Sequence, residues 1–397
     1  MPFNHSHTVS NMDVDVAIIG AGPSGAIAAS LLRQQGHQVV VIEKQHFPRF
    51  SIGESLLPCC MQFLEQAGML DAVNQATPGP GTTFQVQRAD FDKLLADTAI
   101  SQGVEILFGH QVDAIDLTHN PRLTVTNDRG AQYQVNAKFV LDASGFGRVL
   151  PRLLNLEQPS NLAPRSAIFT HIEDNISDPH FDRNKILISV HPQHKDIWYW
   201  LIPFSNNRCS IGVVAEPHLL EHLSGSLEQQ LLAVINEEPE LKKLLSNANI
   251  VQPCATLKGY SANVTTLATN KFALLGNAGE FLDPVFSSGV TIAMQSASMA
   301  VACLHKQLNG QTVDWDSEYS APLMQGVNTF RTYVQAWYDG RFQDVIFYQQ
   351  ADNKIKQMIC SILAGYAWDM SNPFVKESER RLNTIVELCQ EPKPNVA

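Results

Sequence analysis

Residues 15–25 read Asp-Val-Ala-Ile-Ile-Gly-Ala-Gly-Pro-Ser-Gly, and this stretch decides the fold. An apolar run, Val16–Ile19, leads into three spaced glycines, and a segment of small residues follows at once. Gly20 permits a tight turn, Gly22 lets the backbone approach a pyrophosphate, and Gly25 allows a helix to pack closely on the strand. The pattern predicts the first turn of a dinucleotide-binding βαβ unit.

The second half of that unit ends in an acid. The apolar run Val39–Ile42 leads to Glu43, eighteen residues after Gly25. A carboxylate there can accept a ribose hydroxyl, while the helix N-terminus at Pro23 and Ser24 offers N–H groups and a positive dipole end to phosphates. The sequence therefore predicts an α/β dinucleotide-binding domain.

Composition limits the class of protein. A chain of 397 residues exceeds the roughly 250–300 at which one core stops growing, which predicts more than one domain. The net charge of −11 without a basic run argues against nucleic-acid binding, and no apolar stretch approaches a membrane span. Seven cysteines without a CxxC pair suggest neither a disulfide framework nor a metal site. We expect reduced thiols, a cytoplasmic protein and a frayed polar leader at residues 1–12.

The pattern along the chain divides it into three regions. Alternating apolar and polar runs in the middle predict a half-covered antiparallel sheet, and the aromatic C-terminal part is helical in pattern. Helices are also predicted over 56–69 and 89–100, with a loop at 77–81. The predicted domains are a discontinuous cofactor domain (13–150 and 260–310), a sheet domain for substrate (151–259) and a helical cap (311–397).

The late segment 272–290 favours a flavin. A strand is followed by Gly-Asn-Ala-Gly, then by Asp283-Pro284 and Ser287-Ser288-Gly289-Val290 opening a helix. This arrangement places a second helix N-terminus beside a ligand. A single GxGxxG motif argues against a separate tightly held NAD(P) domain, so the predicted cofactor is FAD.

Motifs spread over nearly the whole chain resemble the FAD-dependent monooxygenase and flavin-dependent halogenase superfamily. They are Gly20–Gly25, Phe47-Pro48-Arg49-Phe50-x-Ile52-Gly53-Glu54-Ser55, Gln87-Arg88-Ala89-Asp90-Phe91-Asp92, Asp142-Ala143-Ser144-Gly145, Trp198-x-Trp200-x-Ile202-Pro203 and Gly276–Val290. The resemblance implies a glutathione-reductase-like FAD domain of α/β class, with an α+β insert formed by the substrate sheet, and a helical C-terminal region.

Motif and resemblance together assign cofactor-binding residues. These are Gly20, Gly22, Pro23, Ser24, Gly25, Glu43, Lys44, Arg49, Ser51, Glu54, Arg88, Val112, Asp142, Gly145, Asn277, Pro284, Ser288, Gly289 and Val290. For Arg49 and Arg88 the alternative is ion pairing at the protein surface, and for Asp142 it is a turn at the end of a strand.

Candidates on the substrate side have structural alternatives of their own. Trp198 and Trp200 would share one face of a strand and line the cavity with Phe286, or would belong to the core of the sheet. Glu54, His171 and Trp200 are the candidate catalytic residues. The alternative for Glu54 is a charge at a helix N-terminus, and for His171 it is a hydrogen-bonded structural histidine.

Two departures separate the chain from the halogenases that it resembles. Those enzymes carry a relay lysine between the Gly-Glu-Ser and Arg-Ala-Asp-Phe-Asp motifs, whereas the corresponding segment here, 74–84, contains none. Tryptophan halogenases place a glutamate two residues before Ser288, where this chain has Phe286. Both departures favour oxygen insertion over halogenation.

Two C-terminal stretches, 336–340 and 364–369, look most like the flavoproteins that mature quinone-cofactor amino-acid oxidases of the glycine oxidase and lysine ε-oxidase type. That resemblance implies hydroxylation of a tryptophan in a precursor protein during cysteine tryptophylquinone biogenesis. The implied partners are this precursor and a separate flavin reductase or NAD(P)H. Alternatives are a halogenase or another FAD oxidoreductase acting on a small aromatic molecule, and a non-catalytic flavin-bearing maturation chaperone.

Overall fold

The computed structural model describes residues 11–76, 82–348 and 352–390. The predicted loop at 77–81 and most of the predicted leader lie outside these described residues. The strands are β1 (Met12–Ile19), β2 (Val39–Glu43), β3 (Glu105–Phe108), β4 (His110–Asp116), β5 (Arg122–Asn127), β6 (Gln132–Asp142), β7 (Glu157–Pro159), β8 (Ser166–Glu173), β9 (Leu187–Val190), β10 (Trp198–Pro203), β11 (Arg208–Ala215), β12 (Asn249–Ile250), β13 (Ala255–Lys258), β14 (Ala262–Val264) and β15 (Phe272–Leu274).

The α-helices are α1 (Pro23–Gln34), α2 (Cys60–Gln66), α3 (Leu70–Ala76), α4 (Arg88–Ser101), α5 (Val149–Leu153), α6 (Pro217–Leu220), α7 (Leu227–Ile235), α8 (Pro239–Leu244), α9 (Ser288–Leu308), α10 (Ala321–Tyr338), α11 (Arg341–Ile346), α12 (Asn353–Leu363), α13 (Pro373–Lys376) and α14 (Ser378–Gln390). Single 3₁₀ turns cover Gly145–Gly147, Gly276–Ala278 and Pro284–Phe286, and a π-helical turn, Asp316–Ser320, precedes α10.

The first sheet carries the dinucleotide motif and has the order β3-β2-β1-β6-β5-β4. Strands β3, β2, β1 and β6 are parallel. The last three residues of β6 also pair in parallel with β15, which follows the second sheet in the chain. A parallel strand inside such a sheet is covered on both faces, and all five residues of β2 are accordingly buried. The predicted fold class, an α/β domain with an inserted sheet, is confirmed.

The second sheet is antiparallel, with the order β12-β8-β11-β10-β9 and β13 beside β8. Alternate side chains divide its strands between two cores, since a strand presents successive residues to opposite faces. Trp198 and Trp200 face the core shared with the first domain, whereas Tyr199 and Leu201 face α7 and α8. The predicted common face of the two tryptophans is confirmed.

The predicted start of the helix over 56–69 is wrong. Ser55 forms a bridge with Gln85, and the Leu56 N–H donates to the Phe84 carbonyl at 3.0 Å. The chain is therefore extended where apolar spacing suggested a helix, and α2 begins only at Cys60. The other predicted helix, 89–100, is confirmed as α4.

The C-terminal helices pack on α9 and around α10. Gly326 in α10 lies under the Trp368 indole, where a Cβ would come within 2.0 Å of the ring. All seven cysteines are free. Within the described residues, no helix combines the length and the apolar character needed to cross a membrane.

Candidate functional site

The glycine turn between β1 and α1 is a close backbone approach. Gly20 has a φ of +98°, and a Cβ on Gly25 would lie 1.9 Å from the Gly20 carbonyl oxygen. A Cβ on Gly20 would itself meet the Ala143 carbonyl oxygen at 2.6 Å. Helix α1 begins at Pro23, and Gly22, Pro23 and Ser24 line the cavity. The N–H groups of the first turn of a helix have no partner within the helix, so this end can bind an anion.

The acid at the end of β2 is fixed by two backbone donors. Glu43 is buried, with Oε2 accepting the Ala21 N–H at 2.8 Å and Oε1 accepting the Gln45 N–H at 2.8 Å. Each carboxylate oxygen retains a further lone pair for a ligand hydroxyl. Glu43 therefore sits beside the glycine turn in the position that the sequence predicts for a ribose acceptor.

Arg49 and Arg88 share one buried partner. Arg88 donates to the Asp92 carboxylate through Nε and Nη2 at 2.7 and 2.9 Å, and Arg49 donates to the same carboxylate at 3.0 Å. Arg88 also donates to the Ile52 carbonyl at 2.6 Å. Two guanidinium groups on one carboxylate leave a net positive charge, and Arg49 Nη2 comes within 3.7 Å of a Cβ position on Gly22. Both ion pairs are largely buried rather than at the surface, and the remaining positive charge would suit an anionic ligand.

A cavity of about 420 Å³ runs from this turn to the antiparallel sheet. Its size is within the usual range for ligand sites. Most of the predicted residues contribute to its lining: Gly20, Gly22, Pro23, Ser24, Glu43, Lys44, Arg49, Ser51, Glu54, Arg88, Val112, Gly145, Trp198, Trp200, Asn277, Pro284, Gly289 and Val290.

Five predicted residues lie outside that lining: Gly25, Asp142, His171, Phe286 and Ser288. Asp142 is fully buried and accepts the Ser144 and Leu150 N–H groups at 2.9 and 2.6 Å, so it orders the turn after β6. Burial raises the pKa of Asp142.

Phe286 does not line the cavity, contrary to the prediction. Its ring packs edge-on against Trp337 and Phe342, with centroids 6.0 and 5.6 Å away. The physical reason is the turn of 3₁₀ helix at Pro284–Phe286, which directs this side chain into the cap.

The sheet end of the cavity is aromatic. The rings of Phe169, Trp200 and Trp198 form a row in space, with successive ring centroids 6.1 and 5.9 Å apart. The Trp200 indole lies across Gly212 of the neighbouring strand, where a Cβ would come within 2.2 Å of the ring. Its Nε1 donates to Ser210 Oγ at 3.0 Å. Both tryptophans are nearly fully buried, which makes this wall rigid.

Glu54 and His171, far apart in sequence, meet beside that wall. Glu54 Oε1 lies 2.5 Å from His171 Nε2, and both side chains are buried. His171 is enclosed edge-on by Phe50 and Phe204, each with its centroid at 5.3 Å. His171 reaches the site through Glu54 rather than by lining the cavity itself.

A second buried carboxylate, Asp283, has several hydrogen bonds that the sequence did not predict. It accepts the Tyr338 hydroxyl at 3.0 Å and the Tyr260 hydroxyl at 3.2 Å. Tyr338 in turn accepts Trp198 Nε1 at 2.9 Å, and Arg165 lies 3.3 Å over the Tyr338 ring. The sequence indicates only the Asp-Pro turn. Nothing in the local pattern predicts that the two tyrosines and the arginine lie near Asp283.

These residues fit an FAD. The glycine turn leaves no space for a Cβ, the acid at the end of β2 is preoriented, and the cavity continues past Gly289 and Val290 to the aromatic wall. The site thus defines the class: an FAD-binding flavoprotein.

Comparison with known proteins identifies the family. Residues 13–89 match an FAD binding domain, and residues 70–368 match the tryptophan halogenase family. The second match covers most of the chain, so the protein belongs to the tryptophan halogenase family and is an FAD-dependent oxidoreductase of that type.

Three relatives illustrate the match. A flavoprotein/dehydrogenase from Cytophaga hutchinsonii is 39% identical, with a TM-score of 0.91 over 95% of this chain and 99% of its own. The flavin-dependent brominase Bmp2 is 25% identical, with a TM-score of 0.83 over 96% and 100%. A 1H-pyrrole-2-carbonyl peptidyl-carrier-protein brominase from Pseudoalteromonas luteoviolacea (strain 2ta16) is 28% identical over 77% of this chain and 80% of its own.

We predict that Gly25→Ala abolishes FAD retention, because the new methyl group would overlap the Gly20 carbonyl oxygen. The flavin absorbance per protein should fall at least about tenfold. Gly310→Ala is the control, since no atom lies within 4 Å of its Cβ position, although its φ of +82° strains the backbone. Equal flavin content in the two variants would contradict the assigned turn.

We predict that Asp283→Asn changes the pH dependence of stability. Burial raises the pKa of Asp283 from 3.8 to about 6, so the folded state binds a proton that the unfolded state releases. The Asp283 contribution to stability is therefore most favourable below about pH 4 and is lost as the pH rises through about 6.

Between pH 4.5 and pH 7, the free energy of unfolding of Asp283→Asn should increase by about 2 kcal/mol relative to that of the unsubstituted protein. Urea unfolding at each pH measures this difference. Asp71→Asn, at an exposed position, controls for the loss of a charge. A difference that stays constant across the pH range would show that Asp283 does not titrate in this way.

Proposed function

We propose that the protein is an FAD-dependent monooxygenase that transfers oxygen to an electron-rich aromatic substrate held against Trp198 and Trp200. The observation that carries the proposal is the chemistry of the cavity wall. Among the described residues that line the cavity, lysine occurs only at Lys44, beside Glu43 at the dinucleotide end. The halogenases that this chain resembles use a relay lysine, so a cavity lining without a lysine at its aromatic end supports oxygen transfer.

Bound FAD supplies the activation of O₂, and the chain supplies position and environment. Trp198, Trp200 and Phe169 exclude water from the substrate space, which protects an electrophilic oxygen from side reactions. The backbone N–H groups of Gly289 and Val290, at the start of α9, would contact the bound flavin and would favour negative charge on it when it is reduced. Reducing equivalents come from NAD(P)H or a separate flavin reductase.

Halogenation is the second candidate, and family membership favours it. Two of the relatives described above are named as brominases. Lys93, the lysine next along the chain after Lys44, lies on α4, and its ammonium pairs with Asp97 at the surface. That position favours oxygen transfer over halogen transfer.

The deciding experiment supplies the FAD-loaded protein with a flavin reductase, NADH, O₂ and a panel of indoles, phenols and pyrroles, with and without bromide. We expect products heavier by one oxygen atom, with yields independent of bromide, measured by mass spectrometry with ¹⁸O₂. Brominated products would establish the second candidate instead. Trp200→Phe should lower the yield while the flavin content stays unchanged.

The precursor of a quinone-cofactor oxidase is a narrower proposal for the substrate. It rests on the resemblance of 336–340 and 364–369, and several residues there have structural contacts of their own. Trp368 donates to two carbonyls of α10, and Gly365 has a φ of +102° beside Cys59. Co-expression with such a precursor should add one or two oxygen atoms to its tryptophan, measured by intact mass. An unmodified precursor alongside modified small aromatics would exclude this substrate.

A further inference from the structure

A buried carboxylate oxygen of Glu54 has no hydrogen-bond partner among the residues that the structure describes. Glu54 is 1% exposed, and its Oε1 is hydrogen bonded to His171. Its Oε2 is buried and meets no donor within the described part of the chain. Leaving such an oxygen unpaired costs free energy, so the position indicates where the donor of a ligand belongs.

The surrounding wall offers no donor of its own from its two indoles. Trp198 Nε1 is bound to the Tyr338 hydroxyl, and Trp200 Nε1 is bound to Ser210. The neighbouring rings of Phe50 and Phe169 stack with centroids 6.2 Å apart and bring only apolar surface. Glu54 lines the cavity beside these rings, so its Oε2 is a buried acceptor for which the two indoles do not compete as donors.

We propose that Glu54 determines substrate specificity by accepting a hydrogen bond from an O–H or N–H group on the substrate ring. This inference rests on the proposed function, because it places an aromatic substrate in this cavity. The substrates are then phenols or N–H heteroaromatics rather than plain hydrocarbons. A hydrogen bond to a carboxylate also increases the electron density of the ring, which favours attack on an electrophilic oxygen.

His171 is the positioning residue of this arrangement. It lies in the middle of β8, paired with Ser210 of β11, and its ring is held between Phe50 and Phe204. By binding Oε1, His171 fixes the plane of the carboxylate and directs the second oxygen away from itself. Sites that bind a substrate hydroxyl in this way reject analogues that lack it, because the polar group is then left unpaired.

The test measures binding to the FAD-loaded protein without turnover. Two pairs of probes have equal numbers of heavy atoms: phenol with toluene, and indole with indene. Dissociation constants come from changes in the flavin absorption spectrum. We expect Glu54→Gln to reduce the preference for phenol over toluene, and for indole over indene, by about tenfold. Binding of the two hydrocarbons should change less than about twofold, which a general disruption of the cavity would not allow.

Glu238→Gln is the matched control. Glu238 is equally a buried glutamate, but it caps α8 by accepting the Leu241 N–H and does not line the cavity. It should leave both preferences unchanged. His171→Gln provides a second variant if Glu54→Gln folds poorly, and it should lower each preference by about threefold, because the carboxylate is less well oriented.

Unchanged preferences in both variants would overturn the proposal. So would a loss of FAD affinity in Glu54→Gln with the preferences intact, since Oε2 would then serve the flavin. A protein that shows the predicted change in preference but forms no oxygenated product would contradict the proposed function and not the role of Glu54.

Discussion

The buried carboxylate of Asp283 joins the three parts of the molecule that surround the cavity. Asp283 follows β15, Trp198 belongs to the antiparallel sheet, and Tyr338 ends α10 of the cap. The hydrogen bonds from Trp198 to Tyr338 and from Tyr338 to Asp283 connect all three. Since Trp198 lines the cavity, the distance between the aromatic wall and the start of α9 depends on this chain of contacts.

The site combines two kinds of buried charge. At the dinucleotide end, Asp92 binds two guanidinium groups, so the local excess is positive and suits phosphates. At the aromatic end, Glu54 is hydrogen bonded to His171, whose ring lies between Phe50 and Phe204. Buried charges are stable only when paired or hydrogen bonded, and they impose polarity on whatever enters. The cavity is thereby polarised along its length.

The sequence predicts the parts of the fold that depend on local geometry. The glycine turn, the acid at Glu43 and the paired indoles of β10 each follow from spacing within one or two elements, and the structure brings them to one cavity. The start of α2 could not be predicted, because apolar spacing does not reveal that Ser55 pairs with Gln85. The direction of Phe286 likewise depends on a single turn of 3₁₀ helix.

Contacts between distant segments were beyond the reach of sequence patterns. Glu54 and His171 were each candidates, but 117 residues separate them and no periodicity indicates that they touch. The same holds for Tyr338 and Asp283, 55 residues apart. Their meeting is decided by how the sheet and the cap close over the first domain, which depends on packing throughout the chain rather than on any short motif.

Gly212 has a consequence for how such a cavity can diversify. The Trp200 indole occupies the space that a side chain at position 212 would need. A larger residue there would push the ring toward the ligand and narrow the channel, whereas a smaller residue at 200 would open it. The residues at positions 200 and 212 should therefore covary among homologues. The two residues together would then set the width of the cavity at this wall.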